Sequence, residues 1–242
     1  CGLASRRPPA PCSAGNHGMT NLVHLWGIFL GTVIGLLPII NPLAAAPTFL
    51  AITEGQSEAQ RREQARKGCL YMVAILVSFL IGGSFIMAFF GISIPGLRIA
   101  GGILMAGIGM GMLKTHRTTD EERAEQEAAR QKQDISFSPL AMPMLSGPGS
   151  IAVTLGFTSL ATDWADYVAI IAGIVVVALL TYVVLRLSSR IVRFIGPVGM
   201  NAMTKIMGFL IMSIGVQFVV NGILGIATNP ELLQAIKSAV TR

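Results

Sequence analysis

The sequence predicts an all-α polytopic membrane protein: six transmembrane helices in two three-helix repeats of inverted topology, with helices one and four broken. Three observations predict it. Of 242 residues, 52% are hydrophobic and only 12% charged, about half the charge of a soluble domain. The basic residues gather in clusters between long apolar runs, as loops at one membrane face require. Two of those runs each carry a proline-interrupted motif, NPLAAAP from Asn41 and SPLAMP from Ser138, and paired interruptions of this kind point to a transporter's binding site.

Residues 1–18 are rich in proline, glycine and basic residues without apolar periodicity, and read as a disordered leader outside the fold. Met19, just before the first apolar run, is the expected start. Cys1, Cys12 and Cys69 have no metal-ligand spacing. Cys69, beside a basic stretch, is expected at the reducing cytosolic side.

The first repeat is expected over 19–113. Span one covers about 22–52 and breaks at Asn41-Pro42, because proline lacks the N–H a continuous helix needs. Ser57 with Gln60 three residues on predicts a capping box, so a helix starts there and runs into span two, 68–90. A tight connection over 91–96 leads to span three, 97–113. Residues 114–134, polar on all sides, read as a cytoplasmic linker or solvated helix. The second repeat, 135–227, carries span four over 135–162, span five over 167–185 and span six over 205–226. Asn229, Pro230 and Glu231 suit the start of a short C-terminal helix within 228–242.

Charge sets the orientation. The connections after spans one, three and five hold Arg61, Arg62, Arg66 and Lys67; Lys114, Arg117, Arg123, Arg130 and Lys132; and Arg186, Arg190, Arg193 and Lys205. These three face the cytoplasm, which leaves both termini outside, in a bacterium the periplasm. The net charge of +6 therefore reflects topology, with the bilayer as partner and no nucleic acid. RIAGGILM from Arg98 and KIMGFLIM from Lys205 extend the repeat to spans three and six.

The two breaks carry the expected substrate site: Asn41, Pro42 and Pro47 in the first copy, and Ser138, Pro139, Pro143, Ser146, Gly147, Pro148 and Gly149 in the second. A broken helix offers N–H groups on one side and C=O groups on the other. Together these suit a small zwitterion without any charged side chain. Thr48, Gln217 and Asn221 are secondary polar candidates; for Gln217 and Asn221, four apart, a bond to a neighbouring helix is the plainer reading. A packed kink remains the alternative for each break.

No Asp, Glu or His is expected inside a span, with His17, His24 and His116 read as terminal or in loops. Intramembrane aspartyl or zinc chemistry then has no residues to use, Gly149-Ser150 has no histidine base, and the chain is not read as an enzyme. No cofactor is expected; sodium held by freed carbonyls, or uncoupled exchange, suits the breaks better than a proton relay.

NPLAAAPTFLAIT, FGISIPGLRIAGGIL, PLAMPMLSGPGSIA and MGFLIMSIGVQFVVNGI resemble the MarC family of bacterial and archaeal inner-membrane proteins, over 19–227. The resemblance implies an inner-membrane location. Through relatives similar to small neutral amino acid transporters, it implies a glycine- or alanine-like substrate. The alternatives are a channel, drawing on Gly101, Gly107, Gly109 and Gly111, or a structural or stress-related membrane protein. Drug efflux, suggested by the family's name, suits the small residues at the breaks less well. The sequence points to no particular oligomer.

Overall fold

The computed structural model describes residues 16–114, 134–158, 161 and 163–228. Most of the expected leader, nearly all of the linker, the end of span four and the C-terminal helix lie outside the described residues. Among them the chain is helical throughout, without strands. Helix α1 is Asn16–Ile40, α2 Pro42–Ile52, α3 Glu58–Phe90 and α4 Ile94–Leu113. A wide-turn π segment, Ser136–Leu145, precedes α5, Pro148–Thr158. Helix α6 is Trp164–Arg186 and α7 is Ser188–Ala227. Helix α1 thus reaches back into the last three residues of the stretch read as leader.

Among the described residues, five stretches are long and apolar enough to cross a membrane: Leu22–Ile40, Glu58–Phe90, Ile94–Leu113, Trp164–Arg186 and Val198–Ala227. The stretch expected as span four, 135–162, is not one long helix among the described residues. The π segment and α5 divide it, because Pro139, Pro143 and Pro148 each remove a donor from the ladder.

Local chemistry explains the ends. Ser57 and Gln60 form the expected capping box, with Gln60 N–H donating to Ser57 Oγ at 3.3 Å and Ser57 N–H to Gln60 Oε1 at 2.9 Å. Gly91, at φ 62°, takes the left-handed conformation that closes α3, and Ile92 N–H reaches back to the Met87 carbonyl at 2.9 Å. Ser93 then caps α4 through Gly96 N–H, so the connection is shorter than expected. Helices α6 and α7 likewise begin before the expected spans, and the basic stretch after span five is helical, kinked at Gly196 with φ 71°.

Helix α5 is buried nearly all round, whereas the long helices bury one stripe each. On α3 it runs through Gly68, Cys69, Met72, Leu76 and Leu80, and on α6 through Ile170, Gly173, Ile174, Val177 and Ala178. Apolar side chains on the other faces remain exposed, as lipid-facing surfaces require. Helices α4 and α7 pack antiparallel through glycines. A Cβ on Gly102 would meet the Gly215 carbonyl oxygen at 2.5 Å, one on Gly109 the Gly208 carbonyl oxygen at 2.5 Å, and one on Gly222 the Pro95 carbonyl oxygen at 2.8 Å. Backbone contact this close needs residues without side chains.

Element boundaries recur at one spacing. Pro42 and Pro148 open α2 and α5, and Glu58 and Trp164 open α3 and α6, each pair 106 residues apart. The capping boxes at Ser57 and Asp163 and the interface glycines Gly102 and Gly208 keep the same spacing. The helix pairs are symmetric under this exchange: α2 packs on α7 as α5 packs on α4, and α1 on α6 as the π segment on α3. This register corrects two expected alignments. Asn41-Pro42 corresponds in position to Gly147-Pro148, not to Ser138-Pro139. Gly208 corresponds to Gly102, one residue on from the Gly101 match; Gly101 instead faces Ala152 of α5.

Candidate functional site

The first break is a single residue. Asn41 is 6% exposed and sits at φ 45°, ψ 64°, a left-handed conformation that asparagine tolerates better than most. Its Oδ1 accepts from Ala44 N–H at 3.3 Å and caps α2. Among the described residues its Nδ2 meets only the Met112 sulfur, at 4.0 Å, a weak acceptor that leaves donor capacity unspent. Pro42 is buried; Pro47 and Thr48 are half-buried on α2.

The second break is longer. The Ile135 N–H donates to Gln64 Oε1 at 3.2 Å, tying the entry to α3. Asp134 accepts from the side chain and backbone of Ser136, which holds its carboxyl below the usual range, the side-chain bond contributing most. Non-helical backbone at Ser138 and Met142 interrupts the segment, and the Ser138-Pro139 peptide is cis. Bonds of i−5 type, Leu140 N–H to Ile135 O at 3.1 Å and Ser146 N–H to Ala141 O at 2.8 Å, satisfy what an α-helix would satisfy at i−4. Ser146 is 1% exposed and its hydroxyl has no partner among the described residues. Ser150, also buried, donates to the Leu145 carbonyl at 3.3 Å.

The start of α5 touches the flank of the first break. A Cβ on Gly149 would lie 3.2 Å from Ile39 Cγ2 and 3.3 Å from Met105 Cγ, so α5 begins against the end of α1 and the middle of α4. Both breaks also release a carbonyl. Pro42 and Pro148 lack the N–H that the carbonyls of Pro38 and Met144, four residues back, would receive in a continuous helix.

Not every expected site residue joins this group. Ser138 and Pro148 are exposed, Pro139 and Gly147 are half-exposed, and Pro143 lies within the π segment. Gln217 and Asn221 bond each other, Nε2 to Oδ1 at 2.9 Å, on an exposed face, rather than bonding a neighbouring helix. Asn221 also borders a cavity of about 160 Å³ with Arg98, Val153, Gly156, Phe157 and Phe218.

Two ionisable side chains were missed. His24 lies within α1 and Asp166 in the first turn of α6, with His24 Nδ1 3.4 Å from Asp166 Oδ1. Asp166 is 2% exposed and accepts from the Asp163 N–H at 3.2 Å. The expectation that no carboxylate or histidine lies inside a span therefore fails at this end of the bundle. Both residues stand at the edge of an apolar run, where the sequence suggests a loop. No cluster that could hold a metal ion occurs among the described residues.

Five long apolar helices among the described residues, packed closely through glycines, define a polytopic helical membrane protein. A family model described as "MarC family integral membrane protein" matches residues 26–227. The chain is 38% identical to "UPF0056 inner membrane protein MarC" of Salmonella paratyphi A over 210 residues, 82% of this chain and 95% of the relative. It is 39% identical to the protein of that name from Escherichia coli O1:K1 / APEC, with the same coverage. The chain belongs to the MarC family of integral membrane proteins. No solved structure matches it.

Proposed function

We propose that this protein is a secondary transporter of small neutral amino acids, glycine- or alanine-like, across a bacterial inner membrane. The observation that carries the reading is a pair of helix breaks, in contact where α5 starts, that hold uncommitted polar groups. Asn41 Nδ2 and Ser146 Oγ are buried without a good partner among the described residues, and an unsatisfied buried group costs about 1–3 kcal/mol. The Pro38 and Met144 carbonyls add acceptors for an ammonium group or a sodium ion. Small residues, among them Gly149 and Ala46, leave room for little more than a compact substrate. The inner-membrane assignment is supported by the relatives' name.

The 106-residue recurrence and the symmetric helix pairs support two inverted-topology repeats, the architecture in which one half rocks against the other around a shared site. The basic clusters support cytoplasmic placement of the ends at Ile52, Leu113 and Arg186, with both termini periplasmic. Sodium coupling or uncoupled exchange remains the reading of the drive. A proton-coupled reading is favoured by one observation, the His24–Asp166 pair.

Counterflow in proteoliposomes tests the proposal. Saturable exchange of labelled alanine or glycine is expected. Non-saturating flux would indicate a channel, and inactivity across a panel of neutral amino acids would leave the breaks as structural kinks.

A further inference from the structure

We propose that the cleft between the start of α3, the end of α6 and the first turns of α7 binds the phosphodiester headgroup of an anionic phospholipid. The cleft encloses about 620 Å³ and is lined by Arg61, Arg62, Arg186, Arg190 and Arg193, against the single acid Glu58. Five positive charges facing one negative leave a net of four. Among the described residues none of these arginines forms an ion pair, whereas Lys67 on the same helix pairs with Glu63 at 3.0 Å. Arg62 Nε donates to Tyr182 Oη at 3.2 Å, and Arg61 Nη2 to the Thr53 carbonyl at 3.4 Å, while Arg61 Nε is buried with no partner among the described residues. Guanidinium forks held in one cavity with unspent donors match phosphate oxygens, which accept bidentate bonds.

Orientation signalling explains why arginines lie at this membrane face, but not why five converge on one cleft. The fold itself does not demand them. The positions 106 residues after Glu58, Ala59, Arg61 and Arg62 are Trp164, Ala165, Tyr167 and Val168, on the equivalent turn of α6. A lipid is the source that the surroundings favour. Phe194, next to Arg193, is 93% exposed, and Val198 is 84% exposed. These side chains offer an acyl chain an apolar seat beside a headgroup site, and basic pockets between helices at the cytoplasmic face suit such headgroups. The inference does not rest on the transport reading.

The test uses the purified full chain in detergent, titrated with phosphatidylglycerol, phosphatidylcholine or inorganic phosphate while its melting temperature is followed. Phosphatidylglycerol should raise the melting temperature saturably, and the other two should not at equal concentration. Arg186→Gln/Arg190→Gln/Arg193→Gln should weaken that binding by about a hundred-fold. The corresponding lysine variant keeps the charge that orients the chain and should lose about ten-fold, because the forks are gone. Arg66→Gln/Lys114→Gln, on the same face outside the cleft, should bind as the unaltered chain does. Equal stabilisation by phosphatidylcholine, or undiminished binding by the folded lysine and glutamine variants, would overturn the proposal. Inorganic phosphate acting as strongly as phosphatidylglycerol would replace the lipid by a free anion and overturn the lipid assignment.

Discussion

A Cβ added to Gly102 would lie 2.5 Å from the Gly215 carbonyl oxygen, and one added to Gly215 would lie 2.6 Å from the Gly102 carbonyl oxygen. The contact is reciprocal, backbone on backbone, and neither helix has a flexible side chain there to yield. Gly215→Leu should therefore destabilise the folded protein by more than about 3 kcal/mol, since overpacking against backbone has no local relief. Gly107→Leu, on the outer face of α4 with nothing within 4 Å, should be nearly silent. Thermal unfolding in detergent measures both. Equal tolerance at the two positions would contradict the packing.

Asn41 has two roles that substitution can separate. Asn41→Ala removes the cap and forces alanine into a left-handed conformation, for roughly 2 kcal/mol of lost stability. Asn41→Gly keeps the backbone at a cost of a few tenths of a kcal/mol but removes Nδ2. The glycine variant should fold, melt within a few degrees of the unaltered protein, and lose most counterflow. Full counterflow by Asn41→Gly would make the side chain a cap and nothing more.

Much of the fold could be read from the chain because its signals are local. The Ser57–Gln60 box and the apolar runs of α3, α4 and α6 need no knowledge of the rest. Pro-Leu-Ala recurs at Asn41 and Ser138, but the 106-residue spacing of the helix boundaries does not make these positions equivalent. One copy opens α2, and the other lies inside the π segment, ahead of the break that matters. A short shared motif between apolar helices is weaker information than helix spacing. At the candidate site, Asn41, Ser146 and Gly149 were identifiable as residues beside prolines. That the Ser146 hydroxyl lacks a partner, or that Gly149 meets Ile39, depends on packing between halves about a hundred residues apart. Asp166 was missed because a carboxylate at the end of an apolar run looks solvated, whereas His24 and the Asp163 N–H bury it.

Orientation is tested by single cysteines at Ala59, at the start of α3, and Ile92, just past its end. A membrane-impermeant maleimide applied to intact spheroplasts should label Ile92→Cys and spare Ala59→Cys until the membrane is opened. The opposite pattern would invert the topology inferred from the basic clusters.

Coupling is tested at the His24–Asp166 pair. Asp166→Asn keeps the size of the side chain and removes its charge. With sodium-driven or uncoupled exchange, counterflow should stay within about two-fold of the unaltered protein, because His24 lies roughly 25 Å along α1 from the Asn41 break. An imposed pH gradient should add nothing in either protein. Uptake driven by pH in the unaltered protein and absent in Asp166→Asn, with counterflow retained, would instead make the pair a proton relay.

If the two helix breaks bind the substrate, Ser146→Ala separates binding from folding. The Ser146 hydroxyl is buried and unpartnered among the described residues, so its removal should leave stability unchanged or raise it by about 1 kcal/mol. The same change should lower the saturable counterflow of alanine about ten-fold through the loss of one hydrogen bond to bound substrate. A variant that is as stable as its parent yet transports poorly is the predicted result. Undiminished counterflow in Ser146→Ala would mean that the breaks do not bind the substrate.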